Sequence, residues 1–315
     1  MTTRREIFPI IAGAAGLSSG LSARAAAPVS QAAANTSGPE LRRVSYKSAR
    51  TGKERDYFVY LPPGHAAKKS WPVMLFLHGN GERGDGKGEL DYVMAHGPLY
   101  EAWVQKRDLP FVIISPQLPM FSMGGVDYIK NRTLAQIPRR LADGVPARPD
   151  ERGARLAEPM RGKATNDKLR DGPHGPVDGW NLIEDELIAM VDATVRDCRG
   201  DPARVHLTGL SYGGFGAWSL AAKHAGKFAS LSPVVGYGHP DHAAPLAKAK
   251  LPIWCFVGGR DGVVPAPFFY PVFERLEGLG LTSARLTNHE DLGHFTWVRV
   301  YGGNDLYEWM LAHSH

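Results

Sequence analysis

The stretch RVHLTGLSYGGFGAW, Arg204 to Trp218, reads as a buried strand that turns sharply into a helix. Val205, Leu207, Thr208 and Leu210 give 204–210 its apolar and β-branched character, and a helical apolar pattern runs over 212–226. A single serine, Ser211, stands at the junction, with Gly209 two residues before it and Gly213 and Gly214 after it. A tight bend needs small residues, because bulk would strike the neighbouring strand and helix. A plain turn would use them as well. The setting favours chemistry: a strand–turn–helix bend presents its hydroxyl at the carboxyl edge of a sheet, and the first N–H groups of the helix offer positive potential to a developing oxyanion.

The same alternation extends on both sides. Two strand patterns, LRRVSYKS (41–48) and ERDYFVYL (54–61), open the chain around the turn TGK. Short apolar runs of the fully buried kind follow at PVMLFL (72–77), PFVIIS (110–115) and PIWCFVG (252–258), with weaker ones at 228–236 and 284–289. Helical patterns lie over 88–106, 181–198, 267–278 and 296–312. Buried strands alternating with helices predict an α/β architecture: a mostly parallel central sheet with helices on both faces. Residues 118–178 break this rhythm. They are rich in proline, glycine and charge and too long for an ordinary connection, so they read as an insertion after the PFVIIS strand. Rooted at the carboxyl edge, it is either a lid over the Ser211 site or a solvated loop. Phe121, Met123, Tyr128 and Ile129 would line a pocket, while Arg139, Arg140, Arg148 and Arg152 would face water or an acidic polymer.

A serine hydroxyl is a weak nucleophile without a positioned base. Asp261, in GGRDGVVP just past the PIWCFVG strand, and His294, in DLGHFTW beyond the 284–289 strand, fall at the same sheet edge as Ser211. They are the expected acid and base. Asp241 and His289 compete with them on position. The oxyanion donors expected are the backbone N–H of Tyr212 and that of Asn80 in the loop HGNGERGDG, with Gly81 as the alternative to Asn80. That loop also contains a literal GxGxxG, Gly79 to Gly84. A dinucleotide site would want an acidic residue closing the next strand, and PFVIIS ends in Pro116-Gln117 instead. His239 and His242 lack any HExxH or CxxC companion, so no metal is expected, and a serine–histidine–aspartate chain needs no cofactor.

The chain has 315 residues, 43% hydrophobic and 22% charged, with a formal charge of +5. Such a small excess argues against a nucleic-acid partner. Paired arginines Arg4-Arg5, a short Gly/Ala-rich apolar stretch and a small-residue site near Ala23-Arg24-Ala25 read as a twin-arginine-like signal peptide over 1–25, followed by a flexible lead-in over 26–40. This implies export to the periplasm or medium. The apolar stretch is too short to span a bilayer, and nothing else approaches the necessary length. Cys198 and Cys255 read as free structural thiols.

VYLPPG, FLHGNGERGDG, SPQ, DGW, PARVHLTGLSYGGFGAW, GGRDGVVP and GHFTW together resemble the α/β-hydrolase superfamily. The likeness is to a secreted esterase and peptidase group related to feruloyl and acetylxylan esterases and polyhydroxybutyrate depolymerases. It covers 41–312 apart from the insertion. It implies an α/β-hydrolase domain over 41–315, with Ser211 as nucleophile, Asp261 and His294 as its partners, and the HGNG loop as oxyanion hole. Gln117 and Trp180, which flank the insertion, are implied as pocket residues. The implied activity is a serine carboxylic-ester hydrolase acting on a small-molecule or polysaccharide-linked ester, of plant cell-wall or polyester type. A prolyl-oligopeptidase-type peptidase on the same triad is the alternative. A non-catalytic binding protein on the scaffold is disfavoured, because the whole triad is present.

Overall fold

The computed structural model describes residues 38–151, 168–177 and 179–315. The signal peptide and nearly all of the lead-in lie outside them, and so does Arg152. Eight strands form one sheet: β1 (Glu40–Lys47), β2 (Glu54–Leu61), β3 (Trp71–Leu77), β4 (Val112–Pro116), β5 (Gly200–Leu210), β6 (Ser230–Val234), β7 (Trp254–Gly258) and β8 (Arg285–His289). Their order across the sheet is β1-β2-β4-β3-β5-β6-β7-β8. β1 and β2 pair antiparallel, as do β2 and β4, and every later pairing is parallel. The apolar runs found in the sequence are these strands. They lack polar alternation because both faces are covered. In β3, Val73, Leu75 and Leu77 enter one core while Met74 and Phe76 enter the other, and β2 divides Val59 from Phe58 and Tyr60 in the same way.

Among the described residues, eight α-helices surround the sheet: α1 (Gly97–Leu99), α2 (Asp127–Lys130), α3 (Glu184–Asp197), α4 (Tyr212–Lys223), α5 (Ala243–Ala249), α6 (Tyr270–Gly278), α7 (Thr296–Gly302) and α8 (Asp305–Leu311). α4 is buried on every side from Tyr212 to Ala221, as its Gly- and Ala-rich sequence allows. Two helical expectations need correction. The 88–106 pattern is a three-ten turn (Leu90–Met94), the short α1 and a π turn (Tyr100–Val104). Gly97 at φ 86° interrupts it, pressed so close to Phe76 that an added Cβ would lie 2.2 Å from the ring. The 296–312 pattern divides into α7 and α8 at Gly302-Gly303. No described helix is long and apolar enough to cross a membrane.

The register brings the carboxyl ends together. Leu77 of β3 lies opposite Gly209 of β5, and Leu210 opposite Val234 of β6. Gly258 of β7 lies opposite His289 of β8. The loops that leave β3, β5, β7 and β8 therefore open onto one edge.

Candidate active site

Ser211 has φ 49° and ψ −117°, a strained conformation for a residue with a side chain. Its surroundings hold it there. Its N–H donates to the carbonyl of Val234 at 2.8 Å, and its own carbonyl accepts from Gly214 and Phe215 at 2.9 and 3.3 Å. The turn tolerates nothing larger than glycine on its inner side. A Cβ on Gly209 would lie 2.3 Å from the Gly213 carbonyl oxygen, and one on Gly213 would lie 1.9 Å from that of Leu77. These obstacles are backbone atoms and cannot swing away, which explains the spacing of glycines around the serine.

The bend directs the Ser211 Oγ at His294, whose Nε2 is 2.9 Å away. His294 Nδ1 is 2.7 Å from Asp261 Oδ2. The Asp261 side chain is fully buried, and its Oδ1 accepts the N–H groups of Val263 and Val264, both at 2.8 Å. Those two donors fix the carboxylate, which fixes the imidazole with Nδ1 protonated and Nε2 ready to accept the serine proton. Asp241 is on the surface, 3.2 Å from His239. His289 stacks on Phe256. Neither is placed against Ser211.

The loop after β3 folds over the same edge. His78 is buried, and burial lowers its pKa to about 3, so it is neutral. Its Nε2 accepts the Leu118 N–H at 2.9 Å, which leaves the proton on Nδ1, and Nδ1 donates to the Gly79 carbonyl at 2.6 Å. In a trans peptide the C=O and N–H point opposite ways. Pinning the Gly79 oxygen therefore aims the Asn80 N–H away from His78. The Tyr212 N–H belongs to the first turn of α4, at the positive end of the helix.

Gly79 to Glu82, Ser211 and His294 line an open cavity of about 390 Å³ together with His96, Tyr128, Val263, Phe295 and Trp297. Tyr128 comes from the inserted segment, and its hydroxyl accepts from Asn80 Nδ2 at 2.5 Å. Burial pushes the Glu82 carboxyl up to about 7. Burial also lowers His96 to about 4, so the wall it forms is uncharged at neutral pH.

Gln117 and Trp180 lie outside this lining. Gln117 is buried beneath the loop; its Nε2 donates to the carbonyls of Glu82 (2.9 Å) and Glu89 (2.7 Å), and its Oε1 accepts from Gly86 N at 2.8 Å. Trp180 packs edge-on against His78 at 4.9 Å. Both support the loop from behind, Gln117 from the chain leaving β4 and Trp180 from the turn that leads into α3. Of the four residues expected to line a pocket from the insertion, Tyr128 does so and Ile129 is buried away from the cavity. Arg139 is exposed, as expected, but two of the other arginines differ from expectation. Arg140 donates to the Trp103 carbonyl at 2.6 Å, and Arg148 forks onto the buried Glu101. They fasten the segment to the body of the protein. Phe295 and Trp297 were within reach of sequence reasoning, since they follow His294 closely in GHFTW; His96 carried no signal.

No family model matches the sequence, and no curated protein matches it. Solved structures do. A thermostable esterase superposes with a TM-score of 0.57 at 21% identity over 87% of this chain, which spans 63% of that esterase's length. An S-formylglutathione hydrolase from Agrobacterium tumefaciens gives 0.52 at 17% identity, over 87% of this chain and 95% of its own. An acylaminoacyl peptidase from Pyrococcus horikoshii gives 0.51 at 15% identity, over 87% of this chain and 41% of its own. At such identities the likeness is one of fold. The strand order, the serine on its bend between β5 and α4 and these neighbours agree: the chain adopts the α/β-hydrolase fold.

Proposed function

We propose that this protein is a serine hydrolase of carboxylic esters. The observation that carries the reading is the continuous chain Ser211 Oγ, His294 Nε2, His294 Nδ1, Asp261 Oδ2, with links of 2.9 and 2.7 Å, opening onto the cavity. In this reading His294 takes the Ser211 proton as Oγ bonds to the ester carbonyl carbon. The Asn80 and Tyr212 N–H groups receive the negative oxygen. The carbonyl re-forms, the alkoxide leaves with the proton from His294, and an acyl-serine remains. Water, deprotonated by His294, then attacks the acyl carbon and releases the acid and Ser211. Asp261 keeps the imidazole oriented and stabilises its positive form. The aromatic wall of Tyr128, Phe295 and Trp297 supports an acyl group with apolar surface.

The named neighbours include an esterase and a peptidase, so the test must separate the two. A panel of p-nitrophenyl, feruloyl and acetyl-sugar esters beside aminoacyl p-nitroanilides does this. Ester turnover that disappears in Ser211→Ala is the expected result. Faster anilide cleavage would favour the peptidase, and no turnover of either class would favour a binding role. We also propose export by the Arg4-Arg5 signal. Arg4→Lys with Arg5→Lys should leave the protein uncleaved inside an expressing cell, and unchanged processing would contradict this.

A further inference from the structure

Arg83 belongs to the GNGERG loop, and its side chain is completely buried. A buried cation is expensive to desolvate, and an apolar residue of similar length would fill the space more simply. Its contacts show what it joins. Nε donates to the Asn80 side-chain oxygen at 2.6 Å, Nη1 donates to the Pro119 carbonyl at 3.2 Å, and the guanidinium carbon sits 4.8 Å above the ring of Tyr212. Two other arginines serve the same loop. Arg55 holds the Gly84 and Gln117 carbonyls at 3.0 and 2.8 Å, and Arg132 holds the Gly81 carbonyl and Glu89. Of the three, Arg83 spans from Asn80 to Tyr212.

Asn80 and Tyr212 are the residues whose N–H groups must meet on one oxygen, yet they sit on different elements. One is in the loop after β3, and the other begins α4. A two-donor hole works only when both donors stand about 3 Å from the same point. A relative drift of about 1 Å loses one of them. We propose that Arg83 is the positioning residue that holds the two oxyanion donors in register, by gripping the Asn80 amide with one edge of its guanidinium and stacking the same group on the Tyr212 ring. The planar, permanently charged fork suits this double task, and a lysine ammonium does not reproduce it. The proposal rests on the ester-hydrolase reading above.

The test uses the whole protein with Arg83→Lys, Arg83→Met and the milder Asn80→Ala, which removes the grip point while keeping the backbone N–H. Competent sites are counted with a fluorophosphonate, so turnover is expressed per site and loss of folded protein is removed from the comparison. The inhibitor read alongside is a trifluoromethyl ketone, whose serine adduct carries an oxyanion. Expected are a fall in kcat per site of about 10- to 100-fold, KM within about twofold, and inhibitor affinity falling in step with kcat/KM. Arg83→Lys should be less impaired than Arg83→Met. Combining Asn80→Ala with Arg83→Met should cost little more than the worse single change, because both cut one linkage. Fewer sites, each with wild-type kcat and inhibitor affinity, would make Arg83 merely structural and overturn the proposal. So would full activity per site in Asn80→Ala. A wild-type protein that neither hydrolyses esters nor takes the fluorophosphonate would instead overturn the Ser211 reading, and this inference with it.

Discussion

Replacing Asp261 by asparagine changes one oxygen to an NH₂ group, and the structure dictates which way the amide must turn. Oδ1 faces two N–H donors, from Val263 and Val264, both at 2.8 Å. Putting the NH₂ there would set donors against donors and lose two hydrogen bonds, each costing about 1–3 kcal/mol in a buried place. The amide nitrogen must therefore face His294, 2.7 Å away. Nδ1 then has to accept, its proton moves to Nε2, and Nε2 can no longer take the proton of Ser211. Loss of the correct tautomer in such a triad lowers kcat about 10⁴-fold, or about 5 kcal/mol of barrier. Steady-state hydrolysis of p-nitrophenyl acetate, corrected by fluorophosphonate site counting, measures it. Asp241→Asn is the control, since Asp241 is exposed and contacts His239. Asp261→Asn retaining more than about a hundredth of wild-type kcat would refute the tautomer reasoning, and greater damage from Asp241→Asn would reassign the acid.

Other expectations follow from the same contacts. Gly213→Ala sets a Cβ 1.9 Å from the Leu77 oxygen and 2.6 Å from that of His78, so it should cost more than about 4 kcal/mol or give insoluble protein; a soluble variant with an unchanged melting temperature would contradict the close-approach argument. Glu82 titrates at about 7 in the fold against its ordinary 4.5, because burial disfavours its charge. The folded state thus holds the proton more tightly, so wild-type stability falls as pH rises from about 4.5 to about 7, by about 3 kcal/mol in all. Glu82→Gln should therefore gain in melting temperature over wild type between about pH 5 and about pH 8, and a constant difference would mean that Glu82 is solvated. Tyr128→Ala should raise the butyrate-to-acetate ratio of kcat/KM by about threefold or more, since its ring walls the cavity; an unchanged ratio would remove the inserted segment from selectivity.

What the sequence revealed follows from which forces act locally. The strands were legible because burial on both faces leaves continuous apolar runs such as VMLFL in β3. The serine bend was legible because a backbone-to-backbone approach can be met only by glycine, and glycine is visible in a sequence. The 88–106 segment was misread because Gly97 yields to Phe76 of β3, a contact distant in the chain. Gln117 and Trp180 flank the insertion in sequence, but flanking says nothing about which side of the loop a side chain takes. Arg83 was hidden inside a GxGxxG pattern. A buried arginine is recognised by its partners, here Asn80 and Tyr212, and those appear only when β3 and β5 are laid side by side.

The central claim is that Ser211 is the nucleophile that takes the acyl group. Its most direct test is intact-protein and peptide mass spectrometry after reaction with a fluorophosphonate, and after rapid quench from a slowly deacylating ester. The account predicts one adduct per chain from each reagent, located on the peptide carrying Ser211 and missing from Ser211→Ala. An adduct at another residue in wild-type protein, or undiminished ester turnover by Ser211→Ala, would contradict it.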